Sequence, residues 1–370
     1  MFNGYYKGKR VLVTGHTGFK GAWLSLWLHK LEAQVTGISL PPPTDPNLHQ
    51  LIAPRAFAEE IGCDIRDLNA LSAAIAKSRP EIVFHLAAQP LVRRSYAEPL
   101  ETLQTNSMGT ANLLESVRRA ELGCTVIIIT SDKCYENREW EFAYREIDPL
   151  GGHDVYSMSK AATELVAASW NRSFFLPNSK LGHVATVRAG NVIGGGDYAQ
   201  DRIVPDCMRA LMGKQPILVR NPSAVRPWQH VLECLSGYLW LGARLCGEPK
   251  GSKLATAFNF GPDAAARQPV GRLVEEVLKT WPGQWTDGSD PKSVHEATLL
   301  SLSIEKAGAL LGWFPCWDFQ EAIRQTVEWY RERHAAGNLR MLEFTSQQID
   351  LYAASARTKG LGWAGETNKA

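Results

Sequence analysis

Two short stretches near the middle of the chain carry side chains that can move protons. The first holds two hydroxyls, a carboxyl and an amine, at Thr130, Ser131, Asp132 and Lys133. The second holds a phenol and an amine four residues apart, Tyr156 and Lys160, which share one face of a helix. A hydroxyl, an acid and a lysine that face such a tyrosine–lysine pair predict a proton-transfer site beside a nicotinamide ring.

The Tyr-x-x-x-Lys spacing alone is a weak signal, because a second copy stands at Tyr5 and Lys9. The place of each copy in the predicted fold shows which of the two can be functional. The apolar run at 125–129 predicts a buried strand of a parallel sheet, and ligands of such sheets bind beyond the carboxyl ends of the strands. We therefore assign chemistry to Tyr156 and Lys160 and none to the N-terminal copy.

A glycine-rich turn follows the first predicted strand, 10–14. Gly15, Gly18 and Gly21 are spaced three apart, and an apolar helix is predicted from about 22 to 31. The first glycine permits the tight turn, the second lets the backbone approach a pyrophosphate, and the third allows close packing of helix on strand. A strand, this spacing and a helix together predict a dinucleotide-binding turn.

The end of the second predicted strand, 34–38, bears on the choice of cofactor. NAD-binding folds usually carry an acid there for the ribose hydroxyls, whereas this chain has Ser39, Leu40 and three prolines. No arginine stands there for a 2′-phosphate, although Lys20 lies in the glycine-rich turn. We predict NAD, with Ser39 as the candidate partner of a ribose hydroxyl.

Two acids follow the third predicted strand, 57–61. Asp64 or Asp67 caps the next helix, and Asp64 could instead bond the adenine amino group. After the fourth predicted strand, 81–86, the small residues at 87–88 let a cofactor ribose lie close to the backbone.

Asn106 falls inside a predicted helix from about 99 to 120. A buried amide needs hydrogen-bond partners. The residue therefore either bridges the core or supports the catalytic lysine and its waters.

Strands and helices alternate along the first half of the chain, which predicts an α/β fold with a Rossmann-type, doubly wound parallel sheet. A smaller, mixed α/β lobe should bind the substrate. We expect a cofactor domain at 1–190, to which 229–262 returns, a lobe at 191–228 and 263–355, and a tail at 356–370. The segment near the C-terminus is predicted to pack against another surface, for which a neighbouring subunit is one candidate. Its apolar residues are Leu342, Phe344, Ile349 and Leu351.

Composition narrows the class of protein. The 370 residues carry a net charge of +2 without a basic block, which gives nucleic-acid binding no support. No apolar stretch is long enough to span a membrane, and no signal-peptide pattern is present. Seven dispersed cysteines predict free thiols and a cytoplasmic location. Neither the cysteines nor the nine histidines have a spacing typical of metal ligands, so no metal is expected.

Residues 14–21, 86–88, Asn106 and the Tyr156/Lys160 pair stand where the extended short-chain dehydrogenase/reductase superfamily has its motifs, and the chain resembles that superfamily. Five more stretches resemble its nucleotide-sugar 4,6-dehydratases, in the branch that acts on CDP-glucose: 85–92, 130–137, 190–197, 201–206 and 226–230. The resemblance extends to about residue 355. Its most specific element is Asp132-Lys133, which is usually Asp-Glu in the dTDP- and GDP-sugar relatives.

The resemblance implies conversion of CDP-glucose to CDP-4-keto-6-deoxyglucose, with NAD reduced and reoxidised within one turnover. Tyr156 would take the C4 hydroxyl proton, with Ser131, or Thr130, bonded to the C4 oxygen. A tyrosine has a pKa near 10, so Lys160 and the nicotinamide charge together would have to lower it. Asp132 would protonate the departing C6 hydroxyl.

The role of Lys133 stays open between two alternatives. A neutral Lys133 would remove the C5 proton, whereas a charged one would stabilise the enolate.

The resemblance also implies sets of binding residues. NAD contacts are expected from Gly15, Thr17, Gly18, Phe19, Lys20, Gly21, Ser39, Asp64, Ile65, Leu86, Ala87, Ala88, Asn106, Tyr156 and Lys160. Substrate contacts are expected from Gln89, Asn191, Arg202, Arg226 and His230. The two arginines suit a diphosphate, although each could equally be a surface ion-pair residue.

Two other functions fit parts of the pattern. A dehydratase or 4-epimerase for another nucleotide sugar shares the cofactor turn and the Tyr156/Lys160 pair, but epimerisation needs no Asp132-Lys133. A non-catalytic dinucleotide sensor or scaffold would not need the tyrosine, the lysine or Ser131. We expect an enzyme that forms a homodimer or homotetramer.

Overall fold

The computed structural model describes residues 1–289 and 299–365, with only the backbone described at 53–56. Parts of the expected lobe and tail, 290–298 and 366–370, lie outside the described residues. Thirteen strands are present among the described residues: β1 (Arg10–Thr14), β2 (Gln34–Ser39), β3 (Glu59–Gly62), β4 (Ile82–His85), β5 (Thr125–Ile129), β6 (Val184–Arg188), β7 (Val192–Ile193), β8 (Ile217–Val219), β9 (Val225–Pro227), β10 (Gln229–His230), β11 (Ala257–Asn259), β12 (Arg267–Pro269) and β13 (Trp285–Asp287).

The helices pack against these strands and against one another. In chain order they are α1 (Phe19–Lys30), α2 (Leu48–Ala56), α3 (Leu68–Ser78), α4 (Val92–Ala97), α5 (Pro99–Leu103), α6 (Gly109–Arg119), α7 (Val155–Trp170), α8 (Ile203–Met212), α9 (Val231–Leu245), α10 (Val270–Thr280), α11 (Glu305–Leu311), α12 (Phe319–Ala336) and α13 (Met341–Thr358). Helix α1 begins three residues before the predicted start, and α2 was not predicted.

A seven-stranded parallel sheet forms the centre, in the order β3-β2-β1-β4-β5-β6-β11. The order reverses between β1 and β4, which makes this the switch point of a doubly wound fold. Successive residues of a strand pack into two different hydrophobic cores, one on each face of the sheet. Val11, Val13 and Ile127 pack on the face that α1 and α9 cover, and Leu12 and Ile128 on the face of α3 and α6.

The predicted fold class is therefore confirmed, including the return of β11 to the edge of the main sheet beside β6. The remaining strands form three small two-stranded sheets, β7 with β10, β9 with β12, and β8 with β13. Together with α8, α10 and α12 they build the second, mixed region. None of the helices among the described residues is long and apolar enough to cross a membrane.

The C-terminal helix α13 packs on its own chain. Ile349 and Tyr352 are fully buried, and Trp363 beyond the helix stacks on Phe2 with ring centres 5.2 Å apart. The Phe2 nitrogen also donates to the Trp363 carbonyl at 2.6 Å. The segment expected to be a tail from 356 onwards thus contributes buried residues to the core, as far as Ala364. Leu351, by contrast, remains exposed.

Candidate active site

Strand β5 ends at the first group of predicted catalytic residues. Ser131 caps a single helical turn, Asp132–Cys134, and accepts a hydrogen bond from the Lys133 nitrogen at 3.3 Å. The Ser131 hydroxyl donates to Asp132 Oδ1 at 2.9 Å. The Asp132 side chain is almost fully buried, at 2% exposure. The strand end thus holds a carboxyl group in a fixed orientation.

Helix α7 brings the second group to the same place. Asp154 caps the helix by accepting from the Ser157 nitrogen at 2.9 Å, so Tyr156 and Lys160 lie in the first two turns on one face. Both side chains are buried. Tyr156 is hydrogen-bonded with Ser131, which joins the two predicted groups into one site.

Burial raises the pKa of Tyr156 to about 12, and the hydrogen bond with Ser131 and the charge of Arg202 only partly oppose it. The chain's own groups therefore hold Tyr156 as a neutral phenol. Burial, and next the charge of Lys20, lower the pKa of Lys160 to about 8. Lys160 is not among the groups that lower the pKa of Tyr156, so the lowering expected from Lys160 and the nicotinamide together would have to come with the bound cofactor.

A buried ion pair behind the site was not foreseen. Glu164, one turn after Lys160, accepts from Arg188 Nη2 at 2.8 Å, and both side chains are 3% exposed. The hydroxyls of Thr130 and Thr186 also donate to this carboxylate, at 2.5 and 2.6 Å. The network joins α7 to β5 and β6. The two candidate hydroxyls have different partners, because Thr130 donates to Glu164 whereas Ser131 donates to Asp132.

The sequence did contain a signal for this pair. Glu164 extends the Tyr156 and Lys160 face by one more turn, and Arg188 ends a strand whose other residues are nearly all apolar. A buried charge needs a partner, but these positions do not tell which residue supplies it.

Asn106 acts as a bridge in the core. It lies in a π-helical turn, 104–108, between α5 and α6. Its amide accepts from the Gln89 nitrogen at 2.8 Å and donates to the Gln89 carbonyl and to Ser159 Oγ, at 3.1 and 2.8 Å. The side chain of Gln89, predicted to contact substrate, is itself bonded to Thr102 and Leu91. The Asn106 amide thus links α7 to the end of β4, and the Gln89 amide links that strand end to α5.

The glycine-rich turn has the shape that a dinucleotide requires. Gly15 has a φ of 73°, and a Cβ atom there would lie 2.6 Å from the Ala87 nitrogen. A Cβ atom on Gly21 would lie 2.2 Å from the Gly15 carbonyl oxygen. Side chains are thus excluded where β1, β4 and the start of α1 meet. Such a cradle fits a pyrophosphate above the helix N-terminus.

The other predicted cofactor residues surround this cradle. Ser39 is hydrogen-bonded to Thr17, with the two hydroxyl oxygens 2.7 Å apart. Asp64 pairs with Arg66 at 2.6 Å, while Asp67 caps α3. Ile65, Leu86 and Ala88 flank the same strand ends, and the pKa of Lys20 is lowered by burial.

The predicted substrate residues separate into two groups. Asn191 has a φ of 49° and its amide nitrogen lies 3.5 Å from Asp132 Oδ2. Arg202 pairs with Asp197 at 2.8 Å and lies close enough to lower the pKa of Tyr156. These two residues therefore border the catalytic group.

Arg226 and His230 are buried residues of β9 and β10. Arg226 is largely buried on β9 and donates to the Val225 carbonyl at 2.9 Å. His230 is fully enclosed between the rings of Trp23 and Trp317 and accepts from the Leu232 nitrogen as the cap of α9. In this conformation the His230 ring has no surface to offer a substrate, because the start of α9 encloses it.

A Rossmann-type sheet whose strand ends carry a dinucleotide cradle and a Ser131–Tyr156–Lys160 group defines the extended short-chain dehydrogenase/reductase class. Residues 12–326 match the family model described as GDP-mannose 4,6 dehydratase. CDP-glucose 4,6-dehydratase of Salmonella typhimurium is 47% identical over 333 residues, which cover 88% of this chain and 92% of the relative. The chain therefore belongs to the nucleotide-sugar 4,6-dehydratase family of this class.

Solved structures have the same fold. UDP-glucose-4-epimerase of Stenotrophomonas maltophila, solved with NAD bound, matches with a TM-score of 0.77 at 20% identity, over 89% of this chain and 99% of its own. DesIV, a dTDP-glucose 4,6-dehydratase of Streptomyces venezuelae also solved with NAD, matches with a TM-score of 0.75 at 24% identity, over 88% and 98%. At these identities the likeness concerns the fold alone.

Proposed function

We propose that this protein is an NAD-dependent hydro-lyase that converts CDP-glucose to CDP-4-dehydro-6-deoxyglucose with release of water. The observation that carries the proposal is the buried Asp132 carboxyl, joined through Ser131 to Tyr156 and followed at once by Lys133. An acid next to the base is what an elimination needs in addition to oxidation. The preference for cytosine rests on the Salmonella typhimurium relative.

The residues around the cradle fit NAD, which supplies a hydride acceptor in the first step and a hydride donor in the last. Gly15, Gly18 and Gly21 leave room for its pyrophosphate, and Ser39 with Thr17 stands at the end of β2 for a ribose hydroxyl. The other predicted cofactor residues keep this role in the proposal. The cofactor region comprises 1–190 with 229–262, and the nucleotide sugar lies towards 191–228 and 263–355.

Tyr156, in the phenolate form that Lys160 and the nicotinamide charge together would favour, takes the proton from the sugar C4 hydroxyl as C4 is oxidised, and Ser131 hydrogen-bonds the C4 oxygen. The resulting 4-keto group acidifies C5–H. Asp132 in its protonated form gives its proton to the departing C6 hydroxyl, Lys133 in its neutral form takes the proton from C5, and water leaves across C5 and C6. The hydroxyl of Ser131 lies between Tyr156 and Asp132, so the proton taken from C4 has a path to the acid. A hydride would then return from the reduced nicotinamide to C6, and Lys133 would return its proton to C5.

Lys133 and the residues beyond β6 position the charged parts of the substrate. Among the described residues no carboxylate pairs with the Lys133 side chain, so its amine is available to act at C5. Asn191 holds Asp132 from the other side, and Arg202 stands where a diphosphate oxygen can bind. Gln89, Arg226 and His230 would contribute to the shape of the pocket.

The test is to mix the purified protein with CDP-glucose and, separately, with UDP-, dTDP- and GDP-sugars, and to follow products by mass spectrometry. We expect loss of one water from CDP-glucose without added NADH. Tyr156→Phe should abolish product but retain substrate binding, whereas Tyr96→Phe, which removes an exposed hydroxyl, should behave as wild type. Loss of water only from another nucleotide sugar would overturn the cytosine assignment, and an isomer of unchanged mass would indicate an epimerase.

The proposal also covers the cellular location, the oligomeric state and the use of the product. All seven cysteines lie among the described residues and none is paired, which supports the cytoplasm. Exposed apolar side chains on adjoining helices support a homo-oligomer, namely Leu100, Met108, Met158 and Leu165. The product class would feed deoxysugar synthesis for lipopolysaccharide O-antigen. Light scattering that gives a monomer would contradict the homo-oligomer.

A further inference from the structure

Three side chains from separate elements meet beside the glycine-rich turn. His16 follows β1, His49 lies in the first turn of α2, and Glu60 lies on β3. His16 Nε2 and His49 Nε2 are 2.9 and 2.5 Å from the same atom, Glu60 Oε1. All three of these atoms lie within 4.8 Å of one another. We propose that His16, His49 and Glu60 form a binding site for a divalent transition-metal cation of the zinc type.

The donor set has the chemistry that such a cation prefers. Two imidazole nitrogens and one carboxylate oxygen are a common zinc ligand set, with bonds of about 2.0–2.2 Å and a fourth position left for water. Tetrahedral ligands at that distance are about 3.3 Å apart, so each histidine nitrogen would need to move away from Glu60 Oε1 by less than about 1 Å. Glu60 is 39% exposed, which provides a path from solvent.

The surroundings of His16 favour the form that binds metal. In the metal-free arrangement each Nε2–H donates to Glu60, and each Nδ1 is then a bare acceptor. Both Nδ1 atoms are buried and have no hydrogen-bond partner among the described residues. The carbonyl of Ile38 lies beside the His16 ring. A cation on Nε2 would move the proton to Nδ1, where it faces this carbonyl, as metal-bound histidines usually do.

Packing holds the two rings in this orientation. The His16 ring lies on Gly37, where a Cβ atom would be 2.6 Å from it. The ring of Phe57 packs 4.9 Å from His16 and 5.7 Å from His49. A bound cation would therefore crosslink the glycine-rich turn, α2 and β3 with little rearrangement. The proposed dehydratase reaction has no step at this site, so the inference does not depend on it.

The experiment uses the chelator-treated full chain and Co²⁺ as a spectroscopic probe. We expect one Co²⁺ per chain with the visible absorption of nitrogen and oxygen ligands, displaced by Zn²⁺. The variants Glu60→Gln and His49→Ala should weaken binding at least tenfold. His29→Ala, which removes an exposed histidine on α1, should bind as wild type does.

Thermal unfolding supplies a second measurement, because a cation that binds only the folded chain raises its melting temperature. Zn²⁺ should raise the melting temperature of the wild type and of His29→Ala, but not that of Glu60→Gln. The proposal is overturned if the wild type binds no Co²⁺, if Glu60→Gln binds it as tightly as His29→Ala, or if the spectrum shows sulfur-to-cobalt charge transfer from the cysteines.

Discussion

Gly190 lies directly against the carboxyl group of Asp132. A Cβ atom on Gly190 would be 1.9 Å from Asp132 Oδ2 and 2.1 Å from Asp132 Cγ. The backbone at Gly190, immediately after β6, therefore forms one wall of the space that holds the proposed acid. The absence of a side chain at this position determines where the proton donor points.

Replacing Gly190 by alanine should displace the Asp132 carboxyl and so impair protonation of the C6 hydroxyl. We expect Gly190→Ala to lower kcat for water elimination by about 100-fold, a typical contribution of a general acid. Reduction of bound NAD on mixing with substrate, followed by absorbance, should persist. Gly247→Ala is the matched control, since a Cβ atom there meets nothing within 4 Å. Full elimination by Gly190→Ala would contradict this role of the glycine.

The role of Lys133 can be tested with variants that keep or remove a positive charge at this position. Arginine retains the charge but does not act as a base near neutral pH. If the charge stabilises the enolate, Lys133→Arg should keep kcat within about tenfold of the wild type, whereas Lys133→Met should lose about 100-fold. Lys253→Met, which removes an exposed lysine, is the control. Equal losses in the arginine and methionine variants would instead identify Lys133 as the C5 base.

The Glu164–Arg188 pair should contribute strongly to stability. Glu164→Gln keeps the size of the side chain but leaves the guanidinium of Arg188 as an unpaired buried charge, which costs about 3 kcal/mol or more. Urea denaturation should show this loss. Glu121→Gln removes an exposed partner of Lys180 and should cost less than about 0.5 kcal/mol. Comparable midpoints for the two variants would refute the structural role of the buried pair.

His85 should make stability depend on pH. Thr110 Oγ1 donates to the Asn106 carbonyl, so it accepts from His85 Nε2 at 3.1 Å. The other ring nitrogen, Nδ1, then accepts from the Thr14 hydroxyl at 2.7 Å. One ring nitrogen thus donates and the other accepts, as only a neutral imidazole can do. Burial, and next Lys160, lower the pKa of His85 from 6.5 to about 3.

Below pH 6.5 the unfolded chain takes up a proton on His85 that the folded chain does not, so the stability present above pH 6.5 is lost as pH falls. Between pH 7.5 and 5.5 the free energy of unfolding of the wild type should decrease by about 1.4 kcal/mol relative to His85→Gln, which has no titrating group there. Urea titrations of both proteins at several pH values measure this difference. Parallel pH profiles would exclude a neutral buried His85.

Local patterns were sufficient for much of the fold. The boundaries of β1 and β5 agree with the sequence prediction, and α7 carries Tyr156 and Lys160 on one face as the spacing requires. A strand needs only a short apolar run, a dinucleotide turn needs glycines at fixed spacing, and a helix face follows from its period. These signals lie within about ten residues, so the sequence by itself determined the cofactor turn and the central pair of the site.

The partners of the buried polar groups were decided only by the tertiary structure. Arg188 meets Glu164 across 24 positions, and His16 meets Glu60 across 44. His230, predicted to contact substrate, is enclosed in the core, and Trp363 in the expected tail packs on Phe2. Such contacts depend on how the sheets and helices pack, and no spacing along the chain encodes that packing. The sequence therefore determined which groups could react, and the packing determined which of them meet.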